Sequence, residues 1–342
     1  MSASEPLISA ALIVRDGGGG FRQCLDSLSG WVDELVVGDT GSTDRSRTAA
    51  IGADAVVVDV RWRDDFAAAR NNVLDHCRGR WVLSVDADET VQVDPDRLRA
   101  WLEARTDGSS AASVTIIQDG GPDGRGLAQH RELKLFRRDR VRWTGRVHER
   151  PVLDSGLVPT YDDVPEVLLS LKHRGYVEPA VVRDKSARNA RLSRLELADL
   201  LADGLASESD VARVRLDLAR GLLGAGARED ARAEFRIVAD AGGAAAPARL
   251  ATDFLARMAL GEGRLDEAAA GVRELRALGA PPSHCDFLDA QILAERGDLS
   301  AALAVLHRVS GLQDAGGHAL DASAVERLRR RIQVGLDHRG QA

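Results

Sequence analysis

Trp81-Val82-Leu83-Ser84-Val85-Asp86-Ala87-Asp88-Glu89 reads as five residues of near-continuous apolar strand that stop at two carboxylates one residue apart. A strand that is apolar on both faces belongs inside a parallel sheet covered on both sides. Ligands bind such sheets outside the carboxyl ends of the strands, so Asp86 and Asp88 are expected at a binding edge. Hard oxygen donors there suit Mg²⁺ or Mn²⁺, an ion that typically keeps positions open for substrate phosphates. The first expectation is metal-assisted chemistry on a diphosphate.

The flanking sequence extends this pattern. Residues 7–14, 34–38 and 55–60 are strand-like apolar runs, and residues 21–29, 42–50 and 65–77 between them have helical spacing. Residues 94–105 read as a further helix opened by Asp94-Pro95. A second β-rich stretch covers 112–118, 132–136 and 164–172, with a Gly- and Pro-containing loop at 119–126. From about Asp184 the composition turns to Ala, Leu, Arg and Glu and the pattern is helical throughout. The reading is an α/β domain over residues 1–183 and an all-helical domain over 184–342.

Self-similarity marks the second domain. Leu218-Ala219-Arg220 followed by Gly226 and Ala231 recurs as Leu255-Ala256-Arg257 with Gly263 and Ala268, and more loosely as Ala290 with Gly297 and Ala302. Gly226 to Gly263 spans 37 positions and Gly263 to Gly297 spans 34, the second being the tetratricopeptide period; an insert near Gly242-Gly243 lengthens the first. An ordinary Ala-rich bundle is the plainer alternative.

Composition narrows the function. With 46 basic and 53 acidic side chains the net charge is −7, without a long run of one sign, which gives no electrostatic support to a nucleic-acid or anionic-membrane partner. There is no membrane-spanning apolar stretch, and the start Met1-Ser-Ala-Ser-Glu-Pro has no basic segment followed by an apolar one. A cytoplasmic protein is expected. Cys24, Cys77 and Cys285 lack metal-ligand spacing and read as reduced, buried small hydrophobes.

Two amino-terminal motifs compete for the same edge. Gly17-Gly18-Gly19-Gly20 with Asp39 imitates a dinucleotide site, but the third glycine of that fingerprint would fall on Arg22 or Gln23, which disfavours a dehydrogenase. Val36 through Ser46 is more specific: a strand delivers Asp39 to the edge, Gly41 permits a tight turn, and Ser42 or Thr43 with Asp44 can cap a helix. A carboxylate so placed can accept bonds from ribose hydroxyls or a base N–H.

Taken together, residues 11–16, 32–44, 64–71 and 83–89, then Gly145-Arg146-Val147-His148-Glu149 and Lys172-His173-Arg174-Gly175-Tyr176, resemble in content and order a family 2 glycosyltransferase of the GT-A fold. The subgroup is the one with carboxy-terminal tetratricopeptide repeats, which includes peptide S-glycosyltransferases and lipopolysaccharide-core glucosyltransferase-like proteins. The resemblance covers residues 7–185 well and the remainder in architecture only. It implies that Val14, Arg15 and Asp39 hold the nucleoside of a sugar nucleotide and that Arg70 reaches the base or diphosphate. It further implies that Asp86 faces ribose or sugar, that Asp88 of the DXD motif binds the metal, and that His148 is an additional metal or diphosphate ligand. The family usually has Asn-Glu where this chain has Asp16-Gly17, so one contact near the nucleoside is missing.

The chemistry can also be argued from first principles. Displacing a nucleoside diphosphate from an anomeric carbon builds negative charge on the leaving phosphate, which a divalent ion and a cation such as Arg70 would stabilise. A carboxylate opposite the leaving group would take the acceptor's proton during in-line attack and invert the anomer. Glu149 is the candidate base, with Asp119 in reserve; its structural alternative is a partner of Arg146 or Arg150. Trp143 is a candidate to stack on a sugar, and the arginines at 327, 329, 330 and 331 read as a solvated helix face.

The expectation is a Mn²⁺- or Mg²⁺-dependent inverting glycosyltransferase acting on a peptide, glycan or natural-product acceptor. Its repeats would present the acceptor or mediate a homodimer. The rivals are a non-catalytic repeat scaffold carrying a degenerate transferase domain, and a nucleotidyltransferase, which would need a phosphate-cradling loop richer in Lys and Arg than residues 17–20.

Overall fold

The computed structural model describes residues 5–105, 108–118, 128–173, 178–204, 206–241 and 245–340. The chain divides into two units, Met1–Glu178 and Pro179–Ala342. The first begins with β1 (Ile8–Val14), α1 (Gly18–Leu28), β2 (Glu34–Asp39), α2 (Ser46–Gly52), β3 (Val56–Asp59), α3 (Phe66–Leu74) and β4 (Trp81–Ser84), the alternation expected from the sequence. It continues with β5 (Glu89–Val93), α4 (Pro95–Glu103), β6 (Ala111–Gln118), β7 (Ala128–Arg137), β8 (Val141–Thr144), β9 (Arg150–Leu153), β10 (Tyr161–Asp163) and β11 (Leu169–His173).

Nine of these strands form one sheet in the order β3-β2-β1-β4-β7-β6-β11-β5, with β10 also paired to β6. Strands β3, β2, β1 and β4 are mutually parallel, β7 runs antiparallel between β4 and β6, and β5 closes the far edge antiparallel to β11. This is the mainly parallel α/β sheet expected from the sequence. Because successive side chains point to opposite faces, the apolar runs build two cores. Ile8, Leu12, Val37, Trp81 and Leu83 pack on one face with Phe21, Leu25 and Leu28 of α1. Ala11, Val36 and Val82 pack on the other with Ala69, Val73 and Leu74 of α3. A Cβ at Gly38 would lie 2.4 Å from Val73 Cγ2, so only glycine lets α3 settle this close to β2 just before Asp39.

Several local expectations shift. Gly18, Gly19 and Gly20 are the first turn of α1 rather than a loop. α2 starts at Ser46, not Ser42, because Ser42 and Thr43 are engaged with Asp16 of the preceding strand–helix loop. The run 164–172 breaks at Pro165, whose carbonyl accepts Leu168 N in a tight turn, and pairing resumes only at Leu169. The short strands β5, β8, β9 and β10 escaped the sequence reading; β8 and β9 form a separate two-stranded sheet. The loop 119–126, with Asp119, lies outside the described residues.

The second unit consists of α5 (Pro179–Asp203), α6 (Glu208–Gly224), α7 (Arg228–Asp240), α8 (Ala245–Gly261), α9 (Leu265–Ala277), α10 (Pro282–Glu295), α11 (Leu299–Leu306) and α12 (Ser323–Gly340). Gly226, Gly263 and Gly297 take φ of 89°, 72° and 82° in the turns after α6, α8 and α10, a backbone that glycine alone adopts without strain. Ala231, Ala268 and Ala302, at matching places in the helices that follow, are fully buried. The recurrent sequence unit is thus a helix hairpin with a glycine turn. Gly242 and Gly243 lie outside the described residues.

Candidate functional site

Two loops meet at the carboxyl ends of β1 and β2. The backbone N–H groups of Gly41 and Ser42 donate to Asp39 Oδ1 at 3.1 and 2.8 Å, and Asp39 Oδ2 lies 3.5 Å from Arg47 Nη1. Burial would raise the Asp39 carboxyl, but these bonds outweigh it and hold the group below its ordinary range. Arg47 also pairs with Asp59, which sits level with Asp39 on β3. Asp16, with φ of 51°, accepts bonds from Thr43 N, Thr43 Oγ1 and Asp44 N and so ties the β1–α1 loop to the β2–α2 loop. Val14 is buried in the core and its carbonyl accepts from Thr40, while Arg15 is exposed beyond the end of β1.

The centre of the site is Arg70 on α3. Asp65 caps that helix by accepting from Ala68 N. Asn71 bonds the backbone of Trp143 in both directions, and Phe66 N donates to the Arg146 carbonyl. These contacts lock α3 to the Gly145–Glu149 turn, where His148 takes φ of 52°, a left-handed conformation costing about 1–2 kcal/mol in a non-glycine residue. Arg70 then donates from Nη2 to Asp86 Oδ1 at 2.6 Å, from Nε to Glu149 Oε1 at 2.6 Å and from Nη1 to Ser84 Oγ at 3.1 Å. Glu149 is therefore an ion partner of Arg70, as its structural alternative had it for a nearer arginine, Arg146 or Arg150.

On the other side of Asp86 stands Lys134 of β7. Its ammonium donates to Asp86 Oδ2 at 2.7 Å and lies 3.2 Å from Glu89 Oε1, while Glu89 Oε2 accepts Asp86 N at 2.8 Å. Burial alone would raise the Asp86 carboxyl; Lys134 and Arg70 outweigh it and hold it well below the usual carboxylate range. Burial pushes Glu89 the other way, upward, despite Lys134. Arg70, Asp86, Lys134, His148 and Glu149 line a cavity of about 410 Å³ together with Glu132 and Trp143. Trp143 presents its ring to Arg70, 5.1 Å from the guanidinium carbon, and meets Phe136 edge-on.

Asp88 is half-exposed, with Oδ2 3.4 Å from His173 Nε2. No group of three or more His, Cys, Asp and Glu side chains arranged to hold a metal occurs among the described residues. A carboxylate beside an imidazole fits a divalent ion that takes its other ligands from a diphosphate. His148 lines the Arg70 cavity instead. Arg174, Gly175 and Tyr176 lie outside the described residues.

Residues 18–161 match the sequence profile described as glycosyl transferase family 2. The amino-terminal unit is a family 2 glycosyltransferase domain. Over 202 residues the chain is 32% identical to a TPR repeat-containing protein of Synechococcus elongatus, covering 56% of this chain and 48% of that protein. Over 197 residues it is 26% identical to the SPbeta prophage-derived glycosyltransferase SunS of Bacillus subtilis, covering 56% and 45%. The chain thus spans about half the length of the curated relatives it matches. Crystallised S. aureus TarS residues 1–349 align over 96% of this chain and 92% of theirs, at 13% identity and a TM-score of 0.38.

Within the transferase domain the sequence reading missed Lys134, Glu89 and Arg47. A signal for Lys134 was present: a lone lysine in Glu132-Leu133-Lys134-Leu135-Phe136, a strand otherwise apolar at 133, 135 and 136, needs a buried anion. All three cysteines are free and buried, as expected. No helix among the described residues is long and apolar enough to cross a membrane.

Proposed function

We propose that this protein moves a sugar from a nucleoside-diphosphate sugar onto a peptide, glycan or natural-product acceptor with inversion at the anomeric carbon. The observation that carries this reading is the Arg70–Asp86–Lys134 chain, fixed in a cavity at the carboxyl edge of the strands, with the Asp39 turn at the same edge two strands away. Asp39, with one oxygen taken by two backbone N–H groups, would accept a donor N–H or O–H of the nucleoside on the other. Asp86, oriented by two cations, would accept hydroxyls of ribose or sugar. Arg70 and Lys134 would add positive potential where the leaving phosphate gains charge. Asp88 with His173 would hold Mn²⁺ or Mg²⁺, which when bound neutralises the diphosphate. His148 would reach the diphosphate from the cavity wall. Glu149, its Oε1 held by Arg70, would take the acceptor's proton on Oε2.

Donor hydrolysis with Mn²⁺ tests the reading. Asp88→Ala is expected to lose most of the parent's metal-stimulated rate; equal rates would remove the metal role. Calorimetry with a panel of sugar nucleotides addresses the scaffold alternative, which the Asp16-Gly17 departure motivates: absence of binding to all of them, with and without Mn²⁺, would favour it.

A further inference from the structure

A buried Asp–His pair in the helical unit fastens the loop that joins α11 to α12. That loop, residues 308–322, has no helix of its own and closes on itself. Asp314 N donates to the His318 carbonyl at 2.9 Å, Gly317 N to the Asp314 carbonyl at 3.0 Å and Leu320 N to the Leu312 carbonyl at 2.8 Å. Two of its carbonyls are held from outside. Arg249 Nε of α8 donates to Ala315 O at 2.6 Å, and His284 Nδ1 of α10 lies 3.1 Å from Gln313 O.

On its far side the same ring meets a carboxylate. His284 Nε2 lies 2.6 Å from Asp253 Oδ1 of α8, and the two side chains are only 4% and 8% exposed. Both ring nitrogens thus face acceptors, since a backbone carbonyl and an ionised carboxylate have no proton to give. A neutral imidazole carries a single N–H and serves one of the two. Bonding both at once requires one more proton on the pair, whichever member carries it.

The other charges around the pair have partners of their own. Asp253 Oδ2 faces Arg257 Nε at 3.7 Å. On α10, Asp286 meets Arg276 of α9 at 2.7 Å and Arg308 of the loop at 3.4 Å, and Asp289 meets Arg276 at 2.8 Å. Glu295 pairs with Arg331 of α12 at 3.2 Å, α11 has no charged residue, and burial pushes the neighbouring Cys285 thiol up. Two further histidines sit at the loop: His307 at the end of α11, and the exposed His318, 3.2 Å from Asp314.

We propose that Asp253 and His284 form a proton-operated latch on residues 308–322. With the extra proton in place the ring is bonded on both sides and ties Gln313 to α8 and α10. Without it the one N–H goes to the carboxylate, the stronger acceptor, and a bare Nδ1 then faces the Gln313 carbonyl and releases it. The latched state binds the additional proton, so the tether is complete at the acid end and is lost as pH rises. The latch is independent of the transferase reading.

Hydrogen exchange on the full chain, corrected for the intrinsic pH dependence of exchange, reads the loop directly. Protection of a fragment covering Asp314, Gly317 and Leu320 is expected to fall at least about tenfold between about pH 5 and about pH 9, the scale of one hydrogen bond to a charged group. In Asp253→Asn the amide can donate to His284 Nε2 and leave Nδ1–H on Gln313 in a neutral ring, so protection is expected to stay high across the interval. A merely structural Asp253 would instead give lower protection throughout with the pH response intact. The double change His307→Asn with His318→Asn is expected to keep the parent's response. Parent protection that is flat with pH, a response surviving in Asp253→Asn, or one that vanishes in the double histidine variant would overturn the latch. Should Asp253→Asn fail to fold, the nitrogen resonance of His284 Nδ1 in the parent decides. It is expected to pass from protonated to bare as pH rises, and a bare Nδ1 at the acid end would overturn the latch equally.

Discussion

Lys134 and Asp86, 48 residues apart in sequence, meet at 2.7 Å, and the lysine side chain is only 6% exposed. The ammonium stands among three carboxylates, since the buried Glu89 lies 3.2 Å and the more exposed Glu132 3.6 Å from it. Removing one partner of a buried pair leaves uncompensated charge costing about 3–5 kcal/mol. Lys134→Ala is accordingly expected to lower unfolding stability by about that amount in denaturant titration. Adding Glu89→Gln should recover part of the loss, because one of the buried anions left unpaired is then removed. A Lys134→Ala variant as stable as the parent would contradict this electrostatic account.

Arg70 joins Asp86 and Glu149 through separate nitrogens, a geometry lysine cannot copy. Arg70→Lys keeps the charge but releases one carboxylate, and kcat is expected to fall about a hundredfold through misplacement. Glu149→Gln should depress transfer by at least about a hundredfold while leaving sugar-nucleotide affinity near the parent value. Steady-state kinetics paired with calorimetry separates the two effects, and parent-level kcat in Glu149→Gln would remove its role as base.

Asp39→Asn keeps an oxygen for Gly41 and Ser42 N–H but loses the charge facing Arg47. Nucleoside-diphosphate affinity is expected to weaken about tenfold, the scale of one hydrogen bond to a charged group. Calorimetry with the free nucleotide reads this without turnover.

Restoring a glutamate at the departing position should not help. A Cβ at residue 17 would lie 2.7 Å from Phe21 Cβ and 2.9 Å from Val14 Cγ2, both packed in the core. Gly17→Glu is expected to cost about 1–3 kcal/mol through overpacking, seen as a lower thermal midpoint, with no gain in donor affinity.

Glu34 gives the transferase domain an acid limit. Buried beside Ser9, it accepts Ser9 Oγ at 2.6 Å, Arg78 N at 2.7 Å and Arg78 Nε at 2.6 Å. Burial would raise its carboxyl, but these bonds prevail and hold it below 4.5. The unfolded chain therefore binds the proton first as pH falls, so the stabilisation is complete above about pH 4.5 and is lost below it, down through the folded value. Thermal midpoints measured across that interval should drop for the parent and change less for Glu34→Gln.

Much of this was legible in the residues. The apolar runs at 7–14, 34–38 and 81–85 predict buried parallel strands because each alternates between two covered faces, and Asp39 and Asp86 mark the edge where those runs stop. Asp65, Asp94 and the recurrent glycines at 226, 263 and 297 act through their own neighbours, so their roles need no knowledge of the rest of the fold.

What tertiary structure alone decided is which charge meets which. Glu149 could have served Arg146 or Arg150, its close neighbours, yet pairs with Arg70 at a separation of 79 residues because Asn71 fastens α3 to Trp143. Lys134 finds Asp86 only because β7 enters the sheet antiparallel to β4. Strand periods and turn residues are set by short-range sterics and can be read along the chain. Ion pairing depends on the register of strands remote in sequence, which no local pattern encodes.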